Sequence, residues 1–467
     1  MIRVAVLSGL GHAVFVAAGL LVYVMGTRIG HQRRHPSAAV AWVLGIVAFP
    51  YLIVPLFLLF GTRKFARPAR RTRGQALLVP DGAPAWAARL LASMELAPAM
   101  RNRQVVLHAD GGEALQGLLA TIASARHRLD VCTYVLGHDD VGRQVAQALL
   151  ACARRGVNVR LLVDAMGSMR TPPGMLRALR RRGVQVRRFM PLLHNPLRGR
   201  TNLRNHRKLA VADGLRLWSG GRNLASEYFV DRPGRPAWID LSYEVCGPLA
   251  ELAQAQFSTD WRVAHGLALR KGRRARHVHA PDLLAGPEDG PLAQWLPSGP
   301  DHADDTVHAL LLAAAYHAQR RIVAVTPYFV PDEALLDAWC LACRRGVRVS
   351  LLVPARSNHR LADIARERAL RELSAAGAQV WLSPAMVHAK AVLIDDELAL
   401  AGSLNLDARS LFLNYEAMTA FYGAQELRWL SQWCARQIAA ARPYHARRPS
   451  LVRDIAEGVV RSVGFQL

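Results

Sequence analysis

The stretch "RNHRKLAVADG" (Arg204–Gly214) places a histidine, a lysine and an aspartate in the order H-x-K-x-x-x-x-D. The same order returns much later in the chain, in "VHAKAVLIDDE" (Val387–Glu397). In both segments an apolar run follows the lysine and ends in a turn signal, Asp213-Gly214 in one and Asp395-Asp396 in the other. Each segment therefore predicts a strand that enters a hairpin.

The sequence around these two segments is repeated as well. "RLDVCTYVLGHDDVGRQVAQALLACARRGVNVRLLVD" (Arg128–Asp164) parallels "RIVAVTPYFVPDEALLDAWCLACRRGVRVSLLVP" (Arg321–Pro354). In each, a β-rich run that ends near a tyrosine leads into an amphipathic helix, a helix stop and a buried strand. Each half later reaches a Gly-rich turn, "SGGRN" (Ser219–Asn223) or "AGSLN" (Ala401–Asn405). This alternation predicts an α/β fold with two halves related by a pseudo-twofold axis.

Composition sets wider limits on the protein. The 467 residues carry a formal net charge of +25 and a pI near 11.0, which favours polyanionic partners, although a generally basic proteome would give the same excess. The six cysteines are scattered through apolar segments, which indicates reduced packing residues rather than a disulfide framework. Cys340 and Cys343 form a C-x-x-C pair, but no second pair completes a zinc site, so a packing role is favoured.

Two stretches near the start, Val4 to Thr27 and Pro36 to Thr62, contain no charged residue. Each is long enough to cross a bilayer as a helix, so they predict a transmembrane hairpin. A cleaved signal peptide is the alternative for the first stretch; its length and the second stretch favour a retained hairpin. Basic residues after the second stretch place the N-terminus and everything beyond Arg63 in the cytoplasm, although the connecting loop is basic too. The predicted organisation is a hairpin over 1–62, a basic juxtamembrane linker over 63–102, a first half over 103–269, a linker over 270–291 and a second half over 292–467.

The residue types of the two motifs suit attack on a phosphodiester. In a strand, residues i and i+2 share a face, so His206 lies beside Lys208 and His388 beside Lys390. The lysines can neutralise the phosphate, while one imidazole attacks phosphorus and the other serves as acid and then base. Additional phosphate contacts are expected from the Gly-rich turns and from Asn223, Ser403 and Asn405. This chemistry requires no metal and no cofactor.

Carboxylates are expected to play two different supporting roles. Asp213 and Asp395 stand at an odd offset from their histidines, so we expect them to fix the hairpins by hydrogen bonds more than to touch substrate. Each histidine also needs a carboxylate to hold its tautomer. The candidates are Glu416 for the second half and Asp240 or Glu244 for the first.

The chain resembles the phospholipase D superfamily, whose hallmark is the paired motif, and within it the bacterial membrane-anchored cardiolipin synthases. The segments that carry this resemblance are "RRHPSAAVAWVLGIVAFPYLIVPLFLLFG", "RNHRK" with "GGRNLASEY", "FSTDW", and "VHAK" with "GSLNLDARSLFLNYE". The resemblance implies condensation of two phosphatidylglycerols to cardiolipin and glycerol at the bacterial inner membrane. It also implies a catalytic set of His206, Lys208, Asp213, His388, Lys390 and Asp395, supported by Asn223, Asn405 and Glu416. Two-motif phospholipases suggest His206 as the nucleophile, through a phosphohistidine.

The sequence departs from the family pattern in the first hairpin, where Ala210 and Ala212 replace bulkier residues; we expect looser packing there. Alternative functions are a phospholipase D-type hydrolase, a nuclease or a noncatalytic membrane-binding protein. The predicted hairpin favours a lipid substrate, anionic phosphatidylglycerol, over nucleic acid. The acceptor alcohol, the oligomeric state and the role of the C-terminal segment stay open.

Overall fold

The computed structural model describes residues 2–29, 36–61, 80–191, 202–265 and 287–451, with 453, 454, 457, 458 and 460. The chain begins with three apolar helices: α1 (Ile2–Ile29), α2 (Pro36–Ala48) and α3 (Pro50–Phe60). Within the described ranges, one helix is long and apolar enough to cross a membrane, over the 18 residues Leu10–Thr27.

The second predicted span is not one helix. It is broken between α2 and α3 at Phe49, whose φ of −138° and ψ of 61° lie outside the helical region. The cause is Pro50, which has no N–H to continue the helix and which disfavours helical geometry at the residue before it. The described residues therefore hold one helix of spanning length where the sequence predicted two, and the second stretch forms two shorter helices.

In the described residues of the first half, one seven-stranded sheet is combined with four α-helices. Two short elements precede it, α4 (Ala85–Ser93) and β1 (Met100–Arg101). Its elements in chain order are β2 (Gln104–His108), α5 (Gly111–Ser124), β3 (Arg128–Thr133), α6 (Asp140–Arg154), β4 (Asn158–Asp164), α7 (Pro173–Arg181), β5 (Gln185–Phe189), β6 (Leu209–Ala212), β7 (Arg216–Gly220), a 3-10 turn (Ser226–Tyr228), β8 (Ser242–Cys246) and α8 (Pro248–Ala264).

The second half repeats these elements with a few additions. In chain order they are β9 (Leu292–Ser298), α9 (Thr306–His317), β10 (Arg321–Val325), β11 (Phe329–Val330), α10 (Glu333–Arg344), β12 (Arg348–Pro354), α11 (Arg360–Ala375), β13 (Gln379–Ser383), β14 (Ala391–Ile394), β15 (Leu398–Gly402), β16 (Leu406–Asp407), α12 (Ala408–Phe412), β17 (Glu416–Phe421), α13 (Ala424–Ala439) and β18 (Arg442–Pro443).

Strand order demonstrates the repeat. The first sheet runs β2-β8-β7-β6-β3-β4-β5, and the second runs β9-β17-β15-β14-β10-β12-β13 with β1 and β18 added at its edges. In each sheet the first four pairings are antiparallel and the last two are parallel. The predicted α/β architecture of two equivalent halves is confirmed.

Each half has a buried core of its own, and a third core lies between the halves. Helices α5, α6 and α7 cover the outer face of the first sheet, and α4, α9, α10 and α11 cover that of the second. The third core takes residues from both sheets and from α8 and α13, so it joins the halves. The first strand of each hairpin, β6 or β14, is apolar at every position because both of its faces are buried.

The linker predicted over 63–102 contains folded elements in its second part. Residues 63–79 of the proposed linker lie outside the described residues, but Ala87 and Leu91 of α4 are fully buried in the second half's core, and β1 pairs with β9. The folded unit thus begins at least as early as Ala85. Residues 270–286 of the other linker also lie outside the described residues.

The first hairpin is not loosely packed. Ala210 lies directly opposite Trp218 across the β6–β7 ladder, and the indole is buried. Its Nε1–H donates to the Ala114 carbonyl at 2.9 Å. The large ring fills the space that the small alanine leaves, so the expectation of looser packing was wrong.

Candidate active site

The two histidine segments are fixed by backbone hydrogen bonds to the opposite half. His206 N–H donates to the Tyr415 carbonyl at 2.9 Å, and Tyr415 N–H donates to the Arg204 carbonyl at 2.8 Å. In the same way, His388 N–H donates to the Ile239 carbonyl at 2.7 Å. These exchanges bring both motifs to the junction of the halves, as a pseudo-twofold arrangement requires.

The carboxylates that hold the histidines are exchanged between the halves. Glu416 Oε1 lies 3.0 Å from His206 Nδ1, and Asp240 Oδ2 lies 2.6 Å from His388 Nδ1. The sequence had assigned each carboxylate to the histidine of its own half, and the structure reverses both assignments. In each pair, an Nδ1–H donated to the carboxylate leaves the Nε2 lone pair for chemistry.

Glu416 is held by its own hydrogen bonds. Ser403 Oγ donates to Oε2 at 2.5 Å, and Asn414 Nδ2 donates to Oε1 at 3.3 Å. Ser403, predicted to contact phosphate, is therefore occupied with positioning the carboxylate of the first histidine. His206 Nδ1 also lies 3.1 Å from the Ser403 carbonyl oxygen.

The two motif lysines are buried beside their histidines. Lys208 Nζ donates to the His206 carbonyl at 2.7 Å, while Lys390 Nζ contacts the His388 carbonyl and lies 3.0 Å from the ring Nε2. Burial lowers the pKa of Lys208 to about 7 and that of Lys390 to about 8. A phosphodiester anion entering the site would oppose this loss of charge.

The two imidazoles have lowered pKa values for the same reason. Burial, together with the Lys390 charge, lowers the pKa of His388 to about 3 despite the opposing effect of Asp240. Burial also lowers the pKa of His206, with Glu416 opposing the shift. Although burial acts to raise the pKa of Asp240, the charges of Lys390 and His388 lower it to about 2. Asp240 is therefore an anion at neutral pH.

Asp213 and Asp395 lie away from the imidazoles. Each is in the left-handed region, with φ of 54° and 49°. Asp213 accepts from the backbone N–H groups of residues 126, 127 and 128, and Asp395 accepts from those of 319, 320 and 321. Each carboxylate thus ties its hairpin to the chain just before β3 or β10, which is the hairpin-fixing arrangement that the spacing indicates.

The remaining predicted residues occupy different environments. Asn223 donates to Tyr228 Oη at 2.8 Å and accepts from Val135 N–H at 3.2 Å. Asn405 is buried, and its Oδ1 has no hydrogen-bond partner among the described residues. Glu244, the alternative carboxylate, lies 3.0 Å from His108 and 2.5 Å from Arg216, so it serves a separate cluster.

Sequence comparison with known proteins shows the family of the chain. The family described as "Cardiolipin synthase, PLD-like domain" matches residues 118–261 and 311–438, one range in each half. Cardiolipin synthase A of Pseudomonas entomophila (strain L48) is 34% identical over 403 residues, which cover 82% of each chain. Cardiolipin synthase A of Pseudomonas putida (strain W619) has the same identity over the same length and coverage. The chain belongs to this cardiolipin synthase family.

Solved structures show the same fold at low sequence identity. Phosphatidylserine synthase of Haemophilus influenzae Rd KW20 superposes with a TM-score of 0.62 and 14% identity, covering 82% of this chain and all of that one. Polyphosphate kinase of Porphyromonas gingivalis gives a TM-score of 0.51 and 13% identity, covering 84% of this chain and 57% of that one. At these identities the likeness concerns the fold alone.

Aromatic rings around the imidazoles were not predicted from the sequence. Tyr134 packs edge-on against His206 at 5.0 Å between centroids, and Tyr228 does so against His388 at 5.0 Å. The ring of Trp238 also lies near His388, at 5.5 Å between centroids. The repeated strand that ends near a tyrosine was a usable signal for Tyr134, whereas Tyr228 and Trp238 lie in irregular segments.

Arg207, between the two residues of the first motif, was also missed. Its buried guanidinium donates to Asp260 Oδ1 at 2.5 Å and to the carbonyls of Glu416 and Ser298 at 2.9 Å each. Asp260 belongs to the "FSTDW" segment that the family resemblance includes. The second motif has the apolar Ala389 at this position, so it cannot form the equivalent contact with the first half.

Proposed function

We propose that this member of the cardiolipin synthase family transfers a phosphatidyl group between two phosphatidylglycerols and releases glycerol. The observation that carries the proposal is the reciprocal exchange of carboxylates, because it gives one site two oriented imidazoles. Two such groups are what a two-step transfer needs, one to form a covalent bond and one to move protons.

In the first step, His206 Nε2 attacks phosphorus and the bond between phosphorus and the glycerol oxygen breaks. His388 gives its Nε2 proton to the departing alkoxide, which leaves as glycerol. In the second step, neutral His388 takes the proton from a hydroxyl of the second phosphatidylglycerol. That oxygen attacks phosphorus, the phosphorus–nitrogen bond breaks, and His206 is restored while cardiolipin forms.

The charges in the site determine when His388 is protonated. Lys208 and Lys390 supply positive charge for the nonbridging phosphate oxygens. The Lys390 charge contributes to the low pKa of His388 in the empty site. Bound phosphodiester would offset that charge and raise the pKa of His388, so the acid becomes protonated when substrate arrives.

The proposed setting is the bacterial inner membrane, with the two catalytic halves on the cytoplasmic side. Membership of the cardiolipin synthase family implies a phospholipid substrate, and the basic residues that follow α3 in sequence would attract anionic lipid. No nucleic acid partner is proposed.

The test is to incubate the purified full-length protein with phosphatidylglycerol vesicles and identify the products by mass spectrometry. Cardiolipin and glycerol are expected in equal amounts, also in the presence of EDTA. Phosphatidic acid as the main product would identify a hydrolase instead. Activity that EDTA removes and one divalent metal restores would contradict the metal-free mechanism. The His206→Ala/His388→Ala double variant is the background control.

A further inference from the structure

The three N-terminal helices pack on one another in a definite order. Tyr51, at the start of α3, lies 4.7 Å from Phe15 of α1 between ring centroids. Phe57, near the end of α3, lies 5.2 Å from Tyr23 of α1. Residue numbers therefore increase in the same direction along both helices, so α1 and α3 are parallel.

Helix α2 runs the opposite way between them. Trp42 lies 5.2 Å from Phe57 between ring centroids. In one straight helix these residues would be about 22 Å apart, at 1.5 Å per residue. Near the bend, a Cβ on Gly19 of α1 would meet both Ile46 of α2 and Val54 of α3, so this glycine allows all three helices to approach closely. The α2–α3 pair is a folded-back hairpin.

The direction of the helices fixes where the chain leaves the bundle. Gly61, after α3, lies at the same end as Ile29, the last residue of α1. The 13 residues of α2 and the 11 of α3 extend only about 20 Å and about 16 Å, less than the roughly 30 Å of a bilayer core. The 28 residues of α1 extend about 42 Å and are sufficient to cross.

The surface of the bundle and its bend suit hydrocarbon rather than water. Phe49 and Leu52, at the bend, are 67% and 61% exposed, and exposed apolar side chains continue along α1 and α2. The backbone at the bend is also largely satisfied: Phe49 N–H donates to Gly45, Ile53 N–H donates to Phe49, and Pro50 has no N–H. Irregular backbone at membrane depth requires such internal pairing.

Charge supplies the orientation. If α2 and α3 formed one continuous span, the basic loop with Arg28, Arg33 and Arg34 would face away from the basic segment that begins at Arg63. In the folded-back bundle the chain leaves from the same end after Ile29 and after Gly61, and the basic residues that come next in sequence follow those two points, whereas Arg3 stands at the opposite end of α1. The folded-back arrangement therefore removes the conflict with the rule that basic flanks stay in the cytoplasm.

We propose that α1 is the single membrane crossing, with the N-terminus outside the cytoplasm, and that α2–α3 is a re-entrant hairpin that enters and leaves the cytoplasmic leaflet. The expected occupant of its exposed apolar surface is lipid acyl chain. This replaces the two-span topology predicted from hydropathy, in which the N-terminus is cytoplasmic. It does not depend on the reaction that the catalytic halves perform.

The test uses the full chain with its six native cysteines replaced. The cysteine-free variant must keep the enzymatic activity that the wild-type protein shows. Single cysteines are then introduced by Ile2→Cys, Gln32→Cys and Gln75→Cys, and a membrane-impermeant maleimide is added to spheroplasts before or after permeabilisation. We expect Ile2→Cys to be labelled without permeabilisation, and Gln32→Cys and Gln75→Cys to be labelled only after it. Labelling of Gln32→Cys alone in sealed spheroplasts would establish two spans and overturn the proposal, as would protection of all three sites.

A distance measurement tests the hairpin independently of labelling efficiency. Spin labels at Ala39→Cys and Leu59→Cys should give a separation under about 20 Å in vesicles if α2 and α3 lie side by side. A continuous helix would place the two backbones about 30 Å apart, at 1.5 Å per residue, and that value would overturn the hairpin.

Discussion

His388 Nδ1 lies 2.6 Å from Asp240 Oδ2, although the two residues belong to different halves of the repeat. His206 and Glu416 form the reciprocal pair across the same junction. Neither half contains a histidine together with the carboxylate that orients it. The proposed two-histidine mechanism therefore depends on the docking of the two halves, which the core shared by both sheets maintains.

Replacement of one exchanged carboxylate should reduce turnover with little change in the fold. In Glu416→Gln, the amide can accept from His206 Nδ1–H through its oxygen or donate through its nitrogen, and the negative charge is lost. We expect kcat to fall by about 10²–10⁴-fold, the order seen when a triad carboxylate is made neutral. The measurement is cardiolipin formation per folded molecule, with folding checked by thermal unfolding.

Glu244→Gln is the matched control for this variant. Glu244 is also a largely buried strand carboxylate, in the sheet of the first half, but it bonds His108 and Arg216 rather than a motif histidine. Its replacement should lower stability while turnover per folded molecule stays within about twofold of wild type. Equal loss of turnover in both variants would argue that Glu416 acts only through the fold.

The sequence was sufficient to predict the repeated half, because helix and strand periodicities and stop signals are local. It also indicated the two His/Lys pairs. It could not assign Asp240 and Glu416 to the correct histidines, since that pairing is set by how the halves dock. Likewise, hydropathy identified the apolar stretch after Pro36 but did not predict the bend at Pro50. The apolar character of a segment does not indicate whether the chain continues straight or folds back.

Asp213 should be important for stability and much less for chemistry. Its carboxylate accepts three backbone N–H groups, which outweigh the effect of burial and lower its pKa. Asp213→Ala leaves those donors to water and should cost about 1–2 kcal/mol of unfolding free energy. Because the pKa is lowered in the folded state, this contribution is present above the unfolded pKa of about 3.9 and is lost as pH falls further.

The measurement is chemical denaturation of wild type and Asp213→Ala at pH 7 and near pH 3, alongside turnover at pH 7. The difference in stability should shrink at the lower pH. Asp213→Asn, which keeps one acceptor oxygen, should lie between the two. Unchanged stability with abolished turnover would instead place Asp213 in the chemistry.

The alkaline side of the pH profile should report the motif lysines. Lys208 and Lys390 have pKa values lowered by burial to about 7 and about 8, so both lose positive charge as pH rises through that range. Phosphodiester binding weakens when the cations are lost. Since kcat/KM reports the free enzyme, it should fall as pH rises from about 7 to 9. A value that stays constant to pH 9 would contradict lowered lysine pKa values, and Lys390→Arg, which keeps its charge, should make the fall shallower because only Lys208 then titrates.

The division of labour between the histidines can be read from a substrate whose leaving group needs no acid. With a phosphatidyl ester of p-nitrophenol, His388→Ala should still release a burst of nitrophenol, because His206 can attack and nitrophenolate departs unprotonated. The phosphatidyl-enzyme should then accumulate, since the base for the second step is missing. His206→Ala should give neither burst nor adduct, and acid quench followed by intact-protein mass spectrometry measures both. The reverse pattern would exchange the two roles and keep the two-step mechanism. If no lipid stays attached in either variant or in wild type, direct attack by the acceptor hydroxyl becomes the better account, because both histidines would then act on protons alone.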